Sequence, residues 1–389
     1  MRIFFLSYAH EKGLTADAGG FRKVWELAWA LRKAGSDVLV LYPRLPGHGA
    51  LTPVPSRTYA VVDLPLLRPL SAYLGMVATA LAAGRRERPE IVYFRSCESV
   101  LPFLLRWALG ARMVLEVNAD TLEFLQVEGA SRLARLLFRL AEAANARRSD
   151  LVVAITPGLK RMLTERYGIP ESKVWVIPSG TDPEHFAPEE AGRARQRIGL
   201  DPDRPVVGFV GLFYRHQGIP TLLEALARLR SAHPKLVGLI VGDGVMRPAW
   251  QRLAHRLGIA DAVRFPGQVP YREVPTYFNA MDVAVAPLTA ARGETSPFKV
   301  LDAMACARPV VASDLASVRP LAEASGALTL VRPEDPAALA AALGSLLADP
   351  TRRQAMGAQG RAFVLAHHAW DRIAERLLAA FGGAPPAGR

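Results

Sequence analysis

The sequence predicts an α/β protein of two Rossmann-like, doubly wound domains facing a cleft. Three observations predict it. At 389 residues the chain exceeds one ordinary domain and suits two of about 150–200 residues, each able to bury a core of its own. Short runs rich in Val, Ile and Leu alternate with segments of helical period, the pattern of parallel sheets covered by helices on both faces. The alternation then restarts after a polar, proline-containing stretch.

In chain order, strands are predicted at Arg2–Leu6, Asp37–Tyr42, Glu90–Phe94, Arg112–Val117 and Asp150–Ile155. Between the first two, Phe21, Val24, Trp25, Ala28 and Leu31 recur at spacings of three and four and mark one face of a helix, so the chain opens with a βαβ unit. The second series runs Val206–Val210, Leu236–Val241, Val263–Phe265, Asp282–Ala286 and Pro309–Ala312. The stretch between, Pro178 to Pro205, holds Ser-Gly-Thr-Asp, prolines at 183, 188 and 202 and a charged run, which is linker composition. The expected organisation is a first domain over 1–180, a linker over 181–205 and a second domain over 206–366. A last helix over 367–382 is expected to cross back to the first domain, and the Gly/Pro/Ala-rich tail 383–389 to be disordered. Two such domains in tandem bring the carboxyl ends of two sheets near one interface, where open α/β sheets bind ligands.

Half the residues are hydrophobic and 22% charged, the balance of a soluble globular protein. The formal charge is +12, and the excess is larger in the first half: residues 1–180 hold 24 Lys and Arg against 16 Asp and Glu, residues 181–389 hold 24 against 20. Such an excess attracts nucleic acid, acidic lipid headgroups or phosphorylated substrates, and also serves plain solubility. No nucleic-acid module and no interleaving of aromatic with basic residues appears, so no nucleic-acid partner is expected. No Gly-x-Gly-x-x-Gly follows the first strand, which disfavours a nicotinamide dehydrogenase. The apolar run at the N-terminus is too short for a signal peptide, and Val100 to Ala111, interrupted by Pro102 and Arg106, falls short of the ~20 residues of a spanning helix. A cytoplasmic protein is therefore expected. Cys97 and Cys306 have neither a Cys-x-x-Cys spacing nor a His cluster nearby, and read as buried thiols.

The segment Arg132–Arg148 places Arg132, Arg135 and Arg139 at helical spacing beside Leu133, Leu136, Leu137 and Leu140. Leucines packed on the sheet and leucines resting on an anionic membrane both fit this pattern, and both stay open.

The most specific chemical signal is Glu294-Thr-Ser-Pro-Phe-Lys299-Val-Leu-Asp302, between the predicted strands ending at Ala286 and beginning at Pro309. It reads as a loop entering a helix. Ser296 suits the N-cap and Pro297 the first turn, which leaves the N–H groups of Phe298 and Lys299 to receive a diphosphate at the positive end of the helix. Asp302, one turn on, is placed to accept hydrogen bonds from a ribose while Lys299 faces the phosphates. A solvated pair of charges flanking a helix is the plainer alternative for Glu294 and Asp302, and a surface cation for Lys299. No Asp-x-Asp metal motif appears in a suitable loop.

This stretch resembles the Glu-x7-Glu signature of glycosyltransferase family 4, in the variant whose helix begins Ser-Pro-x-Lys. The resemblance extends over nearly the whole chain. It includes Gly19-Gly20 before the first helix, Ile155-Thr-Pro-Gly-Leu-Lys160, Tyr167-Gly-Ile-Pro170 and Ile177-Pro-Ser-Gly-Thr-Asp182. Phe209-Val-Gly211 to Gly218, Val241-Gly-Asp-Gly244, Phe265-Pro-Gly267 and Met281-Asp-Val-Ala-Val-Ala-Pro287 follow in the family's order.

The resemblance implies a retaining, metal-independent hexosyltransferase of the GT-B fold without a cofactor, moving sugar from a nucleotide diphosphate donor to a glycan, lipid-linked or small-molecule acceptor. The first domain would bind the acceptor and the second the nucleotide sugar. Glu294 would hold hydroxyls of the transferred sugar. Asn118, in Leu115-Glu-Val-Asn-Ala-Asp120, would lie near the reacting centre, without a proton-transfer role. Gly20, Gly211, Arg215, Gln217, Gly267, Ser296, Phe298, Lys299 and Asp302 would meet the donor. Asp302 replaces the family's usual Glu. The family's Arg and Lys in the loop Gly211–Gly218 are replaced by Leu212 and Gln217, so Arg215 or Lys299 would have to supply the missing charge. A developing negative charge on the leaving diphosphate is met by such cations and helix N–H groups. Two alternatives accompany this reading: an inactive nucleotide-sugar-binding protein of the same fold, and a sugar-nucleotide epimerase.

Overall fold

The structure is a computed structural model that describes residues 1–8, 19–44, 52–62, 64, 67–127, 129–294 and 298–383. Two units emerge from it. The first comprises the described residues of Met1–Gly180 with Glu294 and the last helix, and the second those of Thr181–Gly293 and Phe298–Ala369.

In the first unit, largely apolar runs become strands buried on both faces. These are β1 (Arg2–Leu6), β2 (Asp37–Pro43), β4 (Ile91–Arg95), β5 (Arg112–Val117) and β6 (Leu151–Ala154), with β3 (Ser56–Tyr59) and β7 (Val174–Val176) at the edges. All pair in parallel in the order β3-β2-β1-β4-β5-β6-β7. The helices between them are α1 (Gly19–Lys33), α2 (Arg68–Glu87), α3 (Leu104–Leu109), α4 (Thr121–Val127), α5 (Arg132–Arg148) and α6 (Pro157–Tyr167). Phe21, Val24, Trp25, Ala28 and Leu31 form the buried face of α1.

The second unit repeats the plan. Its strands are β8 (Val206–Val210), β9 (Val237–Val241), β10 (Val263–Gly267), β11 (Val283–Ala286), β12 (Val310–Ser313) and β13 (Leu328–Val331), parallel in the order β10-β9-β8-β11-β12-β13. Its helices are α7 (Ala191–Arg197), α8 (Ile219–Leu229), α9 (Arg247–Arg256), α10 (Val274–Ala280), α11 (Phe298–Ala305), α12 (Arg319–Ser325), α13 (Pro336–Ala348) and α14 (Pro350–His367). Residues 181–205, linker-like in composition, carry α7 and bury Phe186, Ala194 and Arg195 in this unit. There Arg195 reaches Asp282 at 2.7 Å and the Pro202 carbonyl at 2.8 Å.

After α14 the chain enters α15 (Trp370–Gly382), which packs along α1 in the first unit. Trp370 is buried and its indole N–H donates to Glu26. Lys33 pairs with Asp371 at 2.7 Å, and Arg112 donates to the Phe381 carbonyl at 2.7 Å.

Three strands have no counterpart in the sequence reading: β3, β7 and β13. Each is an edge strand of three or four residues: β3 has no apolar run, and the apolar residues of β7 and β13 are too few and too little buried to be told from a loop. Cys97 and Cys306 are free and buried, and burial pushes the Cys97 thiol up to about 12. Among the described residues no helix is long and apolar enough to cross a membrane.

Candidate functional site

In an open parallel sheet, ligands meet the carboxyl ends of the strands where the strand order reverses. In the second unit that point lies between β8 and β11, and the loops leaving those strands, together with α11, hold most of the residues singled out in the sequence. Gly218 ends the first loop at φ +66°, and a Cβ there would lie 1.7 Å from the Pro287 carbonyl oxygen, which leads the second. Only glycine permits two backbones to approach so closely with this conformation.

Gly211, Gln217 and Lys299 are brought together at this point. The Lys299 ammonium donates to Oε1 of Gln217 and stands 4.2 Å from the centre of the Phe209 ring. A Cβ at Gly211 would come within 3.0 Å of Lys299 Nζ, so the glycine leaves room for the ammonium. Gln217 is buried, with its Nε2 3.2 Å from Nε2 of His216, while Leu212 and Arg215 of the same loop are exposed. Of the two cations expected to serve this loop, Lys299 lies beside Gln217 and Arg215 faces solvent. Phe298 begins α11; Ser296 lies outside the described residues.

Asp302 sits on the next turn of α11 and is buried, its Oδ1 accepting from the Thr181 hydroxyl at 2.6 Å. Thr181 is itself anchored, its N–H bonding to the His368 carbonyl at 2.8 Å. Gly267, at the end of β10 with φ +92°, faces Arg247, whose Nη1 would be 3.1 Å from a Cβ. Arg247 also binds Asp243 at 2.7 Å and the Phe265 carbonyl at 3.1 Å. The Gly244 N–H and Arg247 hold the Asp243 carboxyl below its ordinary range. The sequence reading missed Thr181 and Arg247. The Gly-Asp-Gly turn followed by a helix beginning with Arg was the available signal for the latter, and a weak one.

Glu294 groups with the first unit. One carboxylate oxygen accepts from the Thr156 hydroxyl at 2.7 Å, and Thr156 caps α6 through the N–H of Leu159 at 3.1 Å. A Cβ on Gly158, the second residue of α6, would lie 2.1 Å from Glu294 Oε1. The carboxylate therefore fills the space a side chain would take at the positive end of α6. Thr156-Pro-Gly158 belongs to a stretch recognised in the sequence, but its service to Glu294 was not.

Asn118 follows β5, and its Oδ1 accepts from Lys23 Nζ at 3.2 Å. Lys23 and Glu116 are buried together at 2.9 Å; Tyr93 donates its hydroxyl to Glu116 and Arg95 lies 3.8 Å away. Burial alone pushes the Glu116 carboxyl up, and Lys23, Arg95 and Tyr93 outweigh it and hold it below its usual range. Lys23 and Glu116 were missed. A carboxylate inside the apolar run Arg112–Val117 demands a buried cation, and that was the signal. Gly20 lies in the first turn of α1. Asn118 and Glu294 belong to the first unit, the Gly211–Gln217–Lys299 group and Asp302 to the second.

Two family models match, one over each series of strands. Residues 18–185 match Glycosyltransferase Family 4 and residues 204–349 match Glycosyl transferases group 1, together covering most of the chain. A D-inositol 3-phosphate glycosyltransferase of Stackebrandtia nassauensis is 35% identical over 245 residues, 61% of this chain and 54% of that protein. A GDP-mannose-dependent alpha-(1-6)-phosphatidylinositol monomannoside mannosyltransferase of Mycolicibacterium smegmatis is 33% identical over 241 residues, 60% of this chain and 63% of that protein. These matches thus span little more than half the length of the curated relatives. Among solved structures, sucrose-phosphate synthase from Thermosynechococcus elongatus superimposes with a TM-score of 0.79 at 24% identity, covering 98% of both chains. Anabaena Alr3699/HepE in complex with UDP-glucose does so at 0.76 and 20% identity, covering 98% of this chain and 99% of that one. With a glycosyltransferase model matched in each half and both parallel sheets in place, the chain is like the family 4 glycosyltransferases and has the GT-B fold.

Proposed function

We propose that the protein transfers a hexose-type sugar from a nucleotide diphosphate donor to an acceptor with retention of anomeric configuration, without a metal. The observation that carries this reading is the Lys299 ammonium beside Gly211 and Gln217, at the β8–β11 switch point. A donor diphosphate seated there would meet the cation and the first turn of α11, both suited to the negative charge that grows as the bond from anomeric carbon to phosphate oxygen breaks. Glu294 would hold the hydroxyls of the transferred sugar, and Asp302, fixed by Thr181, would serve the ribose. Asn118, fixed by Lys23, would border the reacting centre, and attack would come from the leaving-group face with a donor phosphate oxygen taking the acceptor proton. The HepE structures with UDP, and with UDP-glucose, support a nucleotide-sugar donor. Cytoplasm, where Cys97 and Cys306 would stay reduced, is the proposed location.

A thermal-shift panel of nucleoside diphosphates, followed by turnover of the sugars carried by the winning base, tests the proposal. Stabilisation by at least one diphosphate and release of that diphosphate from its sugar conjugate is the expected result. Stabilisation without release from any conjugate, with or without acceptor, would favour the inactive binding protein.

A further inference from the structure

Helix α5 has two faces of apolar character, and only one of them is in the core. Phe138, Glu142, Ala143, Asn145 and Ala146 are its buried residues. Leu133, Leu136, Leu137 and Leu140, spaced as one stripe, are each more than half exposed. The packing that the sequence left open is therefore settled against the leucines: the sheet is covered by the other face. Four leucines in water on one helix mark an interaction surface rather than a scattered set.

The charge around them is of one sign. Arg132, Arg139, Arg147 and Arg148 are exposed and Arg135 partly so. The one acidic residue of the helix, Glu142, is buried, accepting from Ser96 at 2.7 Å and from Tyr167 at 2.6 Å. The solvent side of α5 thus presents leucines and arginines and no carboxylate. Two other helices of this unit also carry exposed apolar side chains. Trp107 of α3 is 80% exposed, and Leu70 and Leu74 of α2 are more than half exposed. The three helices share one core cluster, to which α2 gives Met76, α3 gives Leu105 and α5 gives Ala146. Arg106 of α3 reaches the Arg148 carbonyl at the end of α5 at 2.7 Å. Since α5 follows β5 through α4, its leucine-bearing first turns lie toward the same end of the sheet as Asn118.

We propose that this face of the first unit rests on an anionic lipid surface, with the leucines and Trp107 at headgroup level and the arginines paired with lipid phosphates. The charge complementarity selects this occupant: a second copy would bring Arg132, Arg135 and Arg139 against like charge. The proposal deepens the function above and rests on it for one point, that the chain transfers sugar at all: a lipid surface held here would supply a lipid-carried acceptor.

Co-sedimentation of the full chain with vesicles tests it, using phosphatidylcholine alone and phosphatidylcholine mixed with phosphatidylglycerol. Binding to the mixed vesicles only, lost at high salt, is expected. The triple variant Arg132→Glu, Arg135→Glu, Arg139→Glu should lower binding by ~100-fold or more, from about a fivefold loss per cation. The variant Leu133→Ser, Leu136→Ser, Leu137→Ser, Leu140→Ser should lose binding at low salt as well, and being exposed these positions should leave thermal unfolding unchanged. Wild type left in the supernatant at low salt, or either variant binding as wild type does, would overturn the proposal. So would a wild-type dimer in sedimentation velocity that the serine variant dissolves, which would assign the face to a second copy. Nucleoside diphosphate binding in solution is measured on the same proteins: its absence throughout would refute the transferase reading while leaving the vesicle result to stand alone.

Discussion

Lys299 on α11 donates to Gln217 in the loop after β8, so the glutamine at the position where the family resemblance led us to expect a lysine is bonded to a lysine from the following helix. A diphosphate seated at the switch point, as proposed, would therefore meet an ammonium beside Gln217 although Leu212 and Gln217 carry no charge.

The charge relation can be exchanged. Gln217→Lys would set two ammonium groups against each other, lowering the stability of the nucleotide-free protein by about 1–4 kcal/mol across the effective dielectrics of a protein surface. The same variant should bind a nucleoside diphosphate more tightly, because the ligand relieves the repulsion. The double variant Gln217→Lys, Lys299→Gln should recover wild-type melting and diphosphate binding. Melting curves with and without ligand check all three.

Gly158→Ala should separate the placing of Glu294 from the fold. Its methyl group would enter the space of the carboxylate end, a movable group, so the helix keeps its melting temperature while Glu294 is displaced. Transfer should fall about as far as in Glu294→Ala, with nucleotide affinity unchanged. Thr156→Ser keeps both the cap and the bond to Glu294 and should be near wild type. Thr156→Val loses both, and the bond to the carboxylate alone is worth roughly 1.5–3 kcal/mol.

Lys23→Met leaves Glu116 buried without its nearest cation and should destabilise the protein by about 3–5 kcal/mol. The double variant Lys23→Met, Glu116→Gln should recover most of that loss. If Lys23 also fixes Asn118, the double variant will still transfer sugar more slowly than wild type, with the loss in kcat. Full recovery of kcat would reduce Lys23 to a structural partner.

Asp302→Ala leaves the buried Thr181 hydroxyl without this acceptor, at a cost of about 1–3 kcal/mol, and should weaken nucleotide binding. Thr181→Val frees the Asp302 carboxylate instead. Isothermal titration with the preferred nucleoside diphosphate compares them: a ribose role predicts the larger loss of affinity in Asp302→Ala.

What was legible in the sequence followed burial. Runs such as Phe4–Leu6 and Val206–Phe209 must lie inside a sheet, whereas the backbone approach that demands glycine at 218 shows only in the structure. Edge strands were illegible because Ser56–Tyr59 carries no apolar alternation strong enough to separate it from a loop. Partners distant along the chain were illegible for another reason. Thr156 and Glu294 are 138 residues apart, and Lys23 and Asn118 are 95 apart, so spacing says nothing about their meeting. The leucines of α5 show the remaining ambiguity: an apolar stripe looks the same in sequence whether it faces the core or the solvent.

The most direct measurement of the central claim is the affinity of wild type and Lys299→Gln for a nucleoside diphosphate and for the corresponding monophosphate, by isothermal titration. Wild type should bind the diphosphate at least about tenfold more tightly than the monophosphate, a charge-assisted bond of ~1.5 kcal/mol or more, and Lys299→Gln should erase that difference while folding normally. Undiminished preference for the diphosphate in Lys299→Gln would contradict the account, because the charge that meets the second phosphate would then have to come from somewhere other than α11.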